Sequence, residues 1–264
     1  MDFFDSEKEK LPVTEEDKDW IEENFEWIIQ SVGVLTLIDS KVIDKTDILF
    51  SMKTPEEISG RLCDILEIDP ELISIKITEE PKAQTWTLIA PMGQFEDVSS
   101  DYREYEKEGE MHLEISINRS LLDNPVLLTS TLAYELSRLK LKLMDLPFET
   151  GPDTGVFLYL ASIYFGFGLF ISNSVFFNEK GWISQSNISL EVIGYSLAFY
   201  YWLKNDNGSW KDEINPHIQP QFDSLCCCLS PPRCTHHPWR SSRKRSNVQT
   251  DSLSCTGSLQ CDSE

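Results

Sequence analysis

Twenty-two consecutive residues, Val156 to Phe177, carry no charge. A run of this length either crosses a bilayer or forms the buried centre of a folded domain. Ser162, Ser172, Asn173 and Ser174 are polar, Gly166 and Gly168 interrupt the middle, and neither flank is basic. Those features favour a buried helix over a span. The rest of the fold must then be arranged to cover it.

A second stretch, Leu127–Leu143 (LLTSTLAYELSRLKLKL), is the best candidate for a covering helix. Leu127, Leu128, Leu132, Leu136, Leu139 and Leu143 recur at helical spacing, and Asp123-Asn124-Pro125 supplies a start signal. Thr14-Glu15-Glu16-Asp17 and Thr54-Pro55-Glu56-Glu57 open two earlier helices. In each, a Thr can accept from free amides and acids suit the positive helix end. Gly33 closes the first, Asp69-Pro70 breaks the second, and Leu190–Lys204 reads as a late amphipathic helix. Leu72–Thr78, Gln84–Ala90 and Met111–Asn118 alternate as strands do, and the polar stretch 96–110 reads as a loop. A short strand is expected at Val34–Ile38, and Ile214–Phe222 starts a last short element. The expected class is α+β, a small antiparallel sheet of those three strands packed on a helical core. One domain over residues 12–223 is followed by a disordered tail over 224–264.

Charge divides the chain at the same place. The net charge is −21; residues 1–223 hold 18 Lys+Arg against 41 Asp+Glu, and 224–264 hold 5 against 3. A body this acidic repels phosphate backbones, so nucleic acid is not an expected partner. Cys63 is the only body cysteine, which fits a reducing, cytoplasmic compartment. The N-terminus MDFFDSEKEK has no secretory pattern. Cys63 lies on the apolar side of its helix and reads as core.

The tail holds six cysteines, nine serines and few aliphatics, too little apolar surface to fold alone. Cys226, Cys227 and Cys228 beside Arg240, Arg243, Lys244 and Arg245 admit acylation at an anionic membrane. Cys234, His236 and His237 admit a metal, at a spacing no ordinary zinc site uses. A tail without a task, or a translation artefact, is the plainest reading.

Within Leu127–Leu143, Tyr134-Glu135-Leu136-Ser137-Arg138 has the outline of an HExxH motif. In that motif two His at i and i+4 share one helix face and one zinc, and the Glu activates the bound water. Here only Glu135 is retained. No Gly-rich phosphate loop and no GxSxG elbow occurs. The body histidines, His112 and His217, have no nucleophile at a recognisable spacing.

The stretch LLTSTLAYELSRLKL resembles the motif helix, roughly LxATLAHELAHxxL, of a largely bacterial, functionally unassigned group of zincin-like (gluzincin-type) proteins. RLCDILEIDPELISIKI, IYFGFGLFISNS, GYSLAFYYWLKND and INPHIQPQF resemble other segments of that group, so the likeness covers about residues 14–223. It implies a zincin-like helical core in which Tyr134, Arg138 and Tyr159 stand at former metal-ligand positions and Glu135 is a vestigial general base. The group's third, acidic ligand has no counterpart in Gly155–Tyr159; Asp153 is the nearest acid. Arg138 cannot deprotonate to become a ligand. At about 4 Å and an effective dielectric of about 20, its charge repels a divalent cation by several kcal/mol.

Three expectations follow. No cofactor is expected. Arg138 either pairs with Glu135, Asp153 or Glu149 or lies with Lys140 on the solvent side. The chain is expected to be a catalytically inactive metallopeptidase-like protein that binds a protein or peptide along Met111, Leu113 and Ile115 of an edge strand. A residual hydrolase using Glu135, or a membrane-associated structural protein, stands as the alternative.

Overall fold

The structure is a computed structural model that describes residues 13–33, 54–78, 87–89, 101–146, 148, 154–174, 176–178, 181–184, 188–204 and 210–229. The described residues form an α+β fold that is mostly helical.

Local chemistry sets the first helices. α1 (Glu15–Val32) starts where the Thr14 hydroxyl accepts the Asp17 amide at 3.0 Å, and it ends at Gly33, whose φ of 105° only glycine adopts freely. α2 (Pro55–Leu66) carries a full capping box: Thr54 accepts from the Glu57 amide and the Glu57 carboxylate accepts from the Thr54 amide. β1 (Ile73–Thr78) follows the turn at Pro70–Leu72.

The strands depart from the expected sheet. β2 (Thr87–Ile89) does not join β1. The stretch 96–110, read as a loop, contains β3 (Asp101–Lys107). This strand pairs antiparallel with β4 (Glu110–Asn118) across a two-residue turn. Glu108 and Gly109 both have positive φ there, 58° and 85°, as a type I′ hairpin requires. β1 runs parallel to β4 on its other side, with Ile73, Ile75 and Ile77 beside Leu113, Ile115 and Ile117. The sheet is therefore mixed, in the order β1-β4-β3. Its antiparallel pairing was legible in neither β1 nor β2, because the partner of β4 is a strand whose charged residues hid it.

α3 (Pro125–Leu143) begins at Asn124, whose side chain accepts the Leu127 amide at 3.1 Å. The 22-residue apolar run becomes α4 (Thr154–Ser162), a wide turn at Ile163–Phe167 with Gly166 at φ 93°, and α5 (Gly168–Ser174). The span Thr154–Ser174 is long and apolar enough to cross a membrane. The most apolar 18-residue window within it is 83% buried, which fits the core helix of a soluble protein. Past α5, β5 (Phe176–Asn178) and β6 (Gly181–Ser184) join β2 in a second small sheet, ordered β2-β6-β5.

α6 (Leu190–Lys204) and α7 (Gln219–Leu229) pack closely at Gly194, where a Cβ would stand 2.6 Å from the Gln221 Cβ. α7 carries the fold past the expected boundary at residue 223. Phe222 and Leu225 are fully buried and Cys226 packs against the core. The expected boundary between residues 223 and 224 therefore falls inside α7. The expected strand at Val34–Ile38 and the tail residues Cys234, His236 and His237 lie outside the described residues, as do all positions from Ser230 onward.

The core surrounds α3. Twelve of its residues are buried, and it touches α2, α4 and α5. Thr129, Thr131 and Ser137 fit this apolar setting because each hydroxyl donates to the carbonyl four residues earlier, at 2.7–2.8 Å.

Candidate functional site

One turn of α3 presents Tyr134, Glu135 and Arg138 toward α4 and the hairpin β3–β4. Glu135 is 2% exposed, yet it lies among residues whose burial favours apolar side chains. A carboxylate this deep needs a counter-charge. Arg138 supplies it: its Nε stands 3.3 Å from Glu135 Oε2, with its own side chain 14% exposed. The contact is a close ion pair whose N–H is not aligned for a hydrogen bond.

Tyrosines complete the enclosure. Arg138 Nη2 donates to the Tyr134 hydroxyl at 3.4 Å. The Tyr134 ring packs on Tyr159 of α4, centroid to centroid 4.7 Å at 43°. On the opposite side the Arg138 guanidinium carbon sits 3.9 Å from the ring centroid of Tyr102, a cation–π distance, and 5.4 Å from that of Tyr134. Of the positions singled out in the sequence, Tyr134 thus touches both Arg138 and Tyr159, and Arg138 pairs with Glu135. Arg138 takes the inward pairing and not the solvent side. Asp153 and Glu149, its other expected partners, lie outside the described residues.

Tyr102 was not legible as a site residue. It sits in β3, a segment whose high charge reads as loop. Only the pairing of Tyr102 with Ile115 turns its ring to the face that meets α3. Glu104 shares that face opposite Leu113, where it forms a close ion pair with Lys142. Two contacts therefore tie β3 to α3, one turn apart: Tyr102 on Arg138 and Glu104 on Lys142.

The electrostatics keep Arg138 charged. Burial acts to lower its pKa, but the Glu135 carboxylate, with Tyr134 and Tyr102 beside it, outweighs that effect and holds the guanidinium above its ordinary value. A guanidinium has no lone pair for a metal. Its charge lies against Glu135 and Tyr134, so these side chains do not fit a divalent cation. Among the described residues, no group of three or more His, Cys, Asp or Glu side chains could hold a metal ion.

The other candidate residues resolve differently. Leu113 and Ile115 do not lie on an edge; Met111 pairs with Glu106 of β3 and lies just before the residues that β1 pairs. β4 is the central strand, paired on both sides, and Leu113 and Ile115 are buried against the core. Among the described residues the outer strands of this sheet are β1 and β3, and the unrecognised strand β3 takes one of those places. His112 faces away from the Arg138 cluster and stacks on Tyr105, 5.5 Å between centroids. Cys63 is fully buried, and burial raises its thiol to about 11, which suits packing and not nucleophilic chemistry. A cleft of about 360 Å³ opens at the starts of α1 and α6, lined by Glu16, Asp17, Trp20 and Ile188 among others, and none of the cluster residues borders it.

No protein family, no curated protein and no solved structure matches this chain.

Proposed function

We propose that this chain is a catalytically inactive relative of the zincin-type metallopeptidases and works by binding a protein or peptide. The observation that carries the reading is the Arg138–Glu135 pair. Water activation by a motif glutamate needs a carboxylate open to solvent and a metal beside it. Here the carboxylate is enclosed and neutralised by a guanidinium on the same helix. The reading is supported by the contacts of Tyr134 with both Arg138 and Tyr159, which join the three positions that the resemblance assigns to former ligands.

Binding then falls to the sheet edge, as in strand-addition complexes, where main-chain hydrogen bonds give affinity and alternate side chains give specificity. Of the two outer strands among the described residues, β1 and β3, the reading takes β3, whose Arg103, Tyr105, Glu106 and Lys107 are exposed. A cytoplasmic setting suits the buried thiol of Cys63. Acylation at 226–228 is less suited to Cys226, which packs on the core.

Elemental analysis of the purified full chain tests this reading, together with a peptide-hydrolysis assay on wild type and Glu135→Ala. The expected result is no stoichiometric zinc and no hydrolysis that depends on Glu135. One zinc per chain, or peptidase activity abolished by Glu135→Ala, overturns it.

A further inference from the structure

The cleft between the starts of α1 and α6 encloses about 360 Å³, a volume within the range of small-ligand sites. Its apolar lining comes from three helical segments: Ile21 of α1, Val156 of α4, and Ile188 and Val192 at the start of α6. Trp20 adds an aromatic ring. Its charged lining is Glu16 and Asp17, and among the described residues no Lys, Arg or His borders it. We infer that this cleft binds an organic ammonium ion with a short hydrocarbon stem, the chemistry of a free alkylamine or of a lysine side chain. The inference stands apart from the functional reading, which uses β3.

The charge of the lining sets the sign of the ligand. Asp17 has a task in the helix cap, where its carboxylate accepts the Thr14 hydroxyl at 2.7 Å. Glu16 takes no part in that cap and forms no ion pair among the described residues. Lys18, the only basic residue of α1, stands 3.3 Å from Glu15 instead. Two helix starts would by themselves favour an anion. At α1 that field is met by Glu15, Glu16 and Asp17. At α6 the Ser189 hydroxyl accepts the Val192 amide at 3.2 Å, and Glu191 lies in the first turn. The carboxylates then leave the cleft negative, and the net charge of −21 adds to its pull on a cation.

The remaining lining sets the rest of the ligand. A bare metal ion would leave the aliphatic surface wet, and among the described residues no group of three or more His, Cys, Asp or Glu could hold one. An ammonium head offers three donors to the carboxylates. Its hydrocarbon stem removes apolar surface from water against Val156, Ile188 and Val192. Glu16 and Trp20 are four residues apart on α1, so they share a helix face. A cation held by Glu16 is thereby brought to the side of the cleft that carries an indole, the ring that attracts cations most.

Calorimetric titration of the full chain at pH 7 and about 0.05 M salt tests the inference. The probes are butylammonium chloride, butan-1-ol and sodium butyrate, which differ mainly in the charge of the head. Butylammonium is expected to saturate one site at roughly millimolar concentration, with the other two at least about tenfold weaker. Glu16→Gln changes an exposed residue outside the cap and is expected to weaken butylammonium about fivefold or more, as does about 0.5 M salt. Butylammonium is also expected to change the indole fluorescence. Trp20→Phe keeps an aromatic ring in the cleft and removes that change. Nα-acetyl-lysine N-methylamide separates the two sources: tighter binding than butylammonium assigns the cleft to a lysine side chain, and equal or weaker binding assigns it to a free amine. Four results overturn the inference: no saturable binding of butylammonium, butan-1-ol or butyrate binding as tightly, binding unchanged by Glu16→Gln, or a fluorescence change that survives Trp20→Phe.

Discussion

Arg138 Nε lies 3.3 Å from Glu135 Oε2, one turn apart on a helix with twelve buried residues, and each charge is tolerated there because of the other. An ion pair in such a place contributes little net stability over an apolar pair of the same shape. Removing one partner alone is costly, because the other is left charged and enclosed.

Arg138→Met should therefore lower the unfolding free energy by about 3–5 kcal/mol. Glu135→Gln combined with Arg138→Met should recover most of that loss. Arg138→Lys keeps the charge and gives up the planar stacking on Tyr102, so it should fall between the two. Urea unfolding followed by circular dichroism measures all three. Equal losses in the single and double variants would show that the two charges do not stabilise each other.

The ancestry in the functional reading makes a constructive prediction. If Tyr134, Arg138 and Tyr159 occupy former ligand positions, then Tyr134→His, Arg138→His and Tyr159→Glu together should create a chain that takes up one zinc, with Glu135 retained. Titration with zinc, read by calorimetry and by a rise in melting temperature, checks this. A folded triple variant without zinc affinity would remove the zincin-like reading.

Alkaline pH should weaken the fold. Burial raises the Cys63 thiol from 9.0 to about 11 and the Tyr164 hydroxyl from 10.0 to about 12. Both groups hold their proton more tightly when folded. Their contribution is complete below the unfolded values and is lost as pH rises through the folded ones. Stability should decline progressively from about pH 9 to about pH 12, by a few kcal/mol in all. Urea midpoints at pH 7, 9 and 10.5 would show the decline. A Cys63→Ala, Tyr164→Phe chain should show a flatter profile.

Glycines divide into permissive and required positions. A Cβ at Gly60, within α2, meets nothing within 4 Å, so Gly60→Ala should stabilise the fold by about 0.5–1 kcal/mol. A Cβ at Gly168 would stand 2.5 Å from Leu197 Cδ2 and one at Gly194 stands 2.6 Å from the Gln221 Cβ, so Ala at either should cost about 1–3 kcal/mol. Gly166 is required by its backbone, at φ 93°, and Gly166→Ala should cost at least about 1 kcal/mol. Melting temperatures of the four variants should rank Gly60→Ala above wild type and the other three below it.

The sequence by itself determined what depends on neighbours along the chain. Thr14, Thr54 and Asn124 cap helices where a side-chain oxygen reaches an amide three residues on. Gly33 ends the first because its φ is a local property, whereas α2 ends at Leu66 with Glu67 at φ 53°, before the expected break at Asp69-Pro70. The turn of α3 that carries Tyr134, Glu135 and Arg138 was legible for the same reason, as was the burial of the apolar run through Ser174. Tertiary structure alone decided what depends on distant segments. β3 became a strand because its alternate residues, Tyr102 and Glu104, found Arg138 and Lys142 on α3, contacts between positions 36 and 38 apart in the chain. β4 became central and not an edge because β1 and β3 both paired with it. Whether Glu135 faced water, a metal or an arginine was likewise settled by packing, since one helical face can carry all three chemistries and only its neighbours exclude two of them.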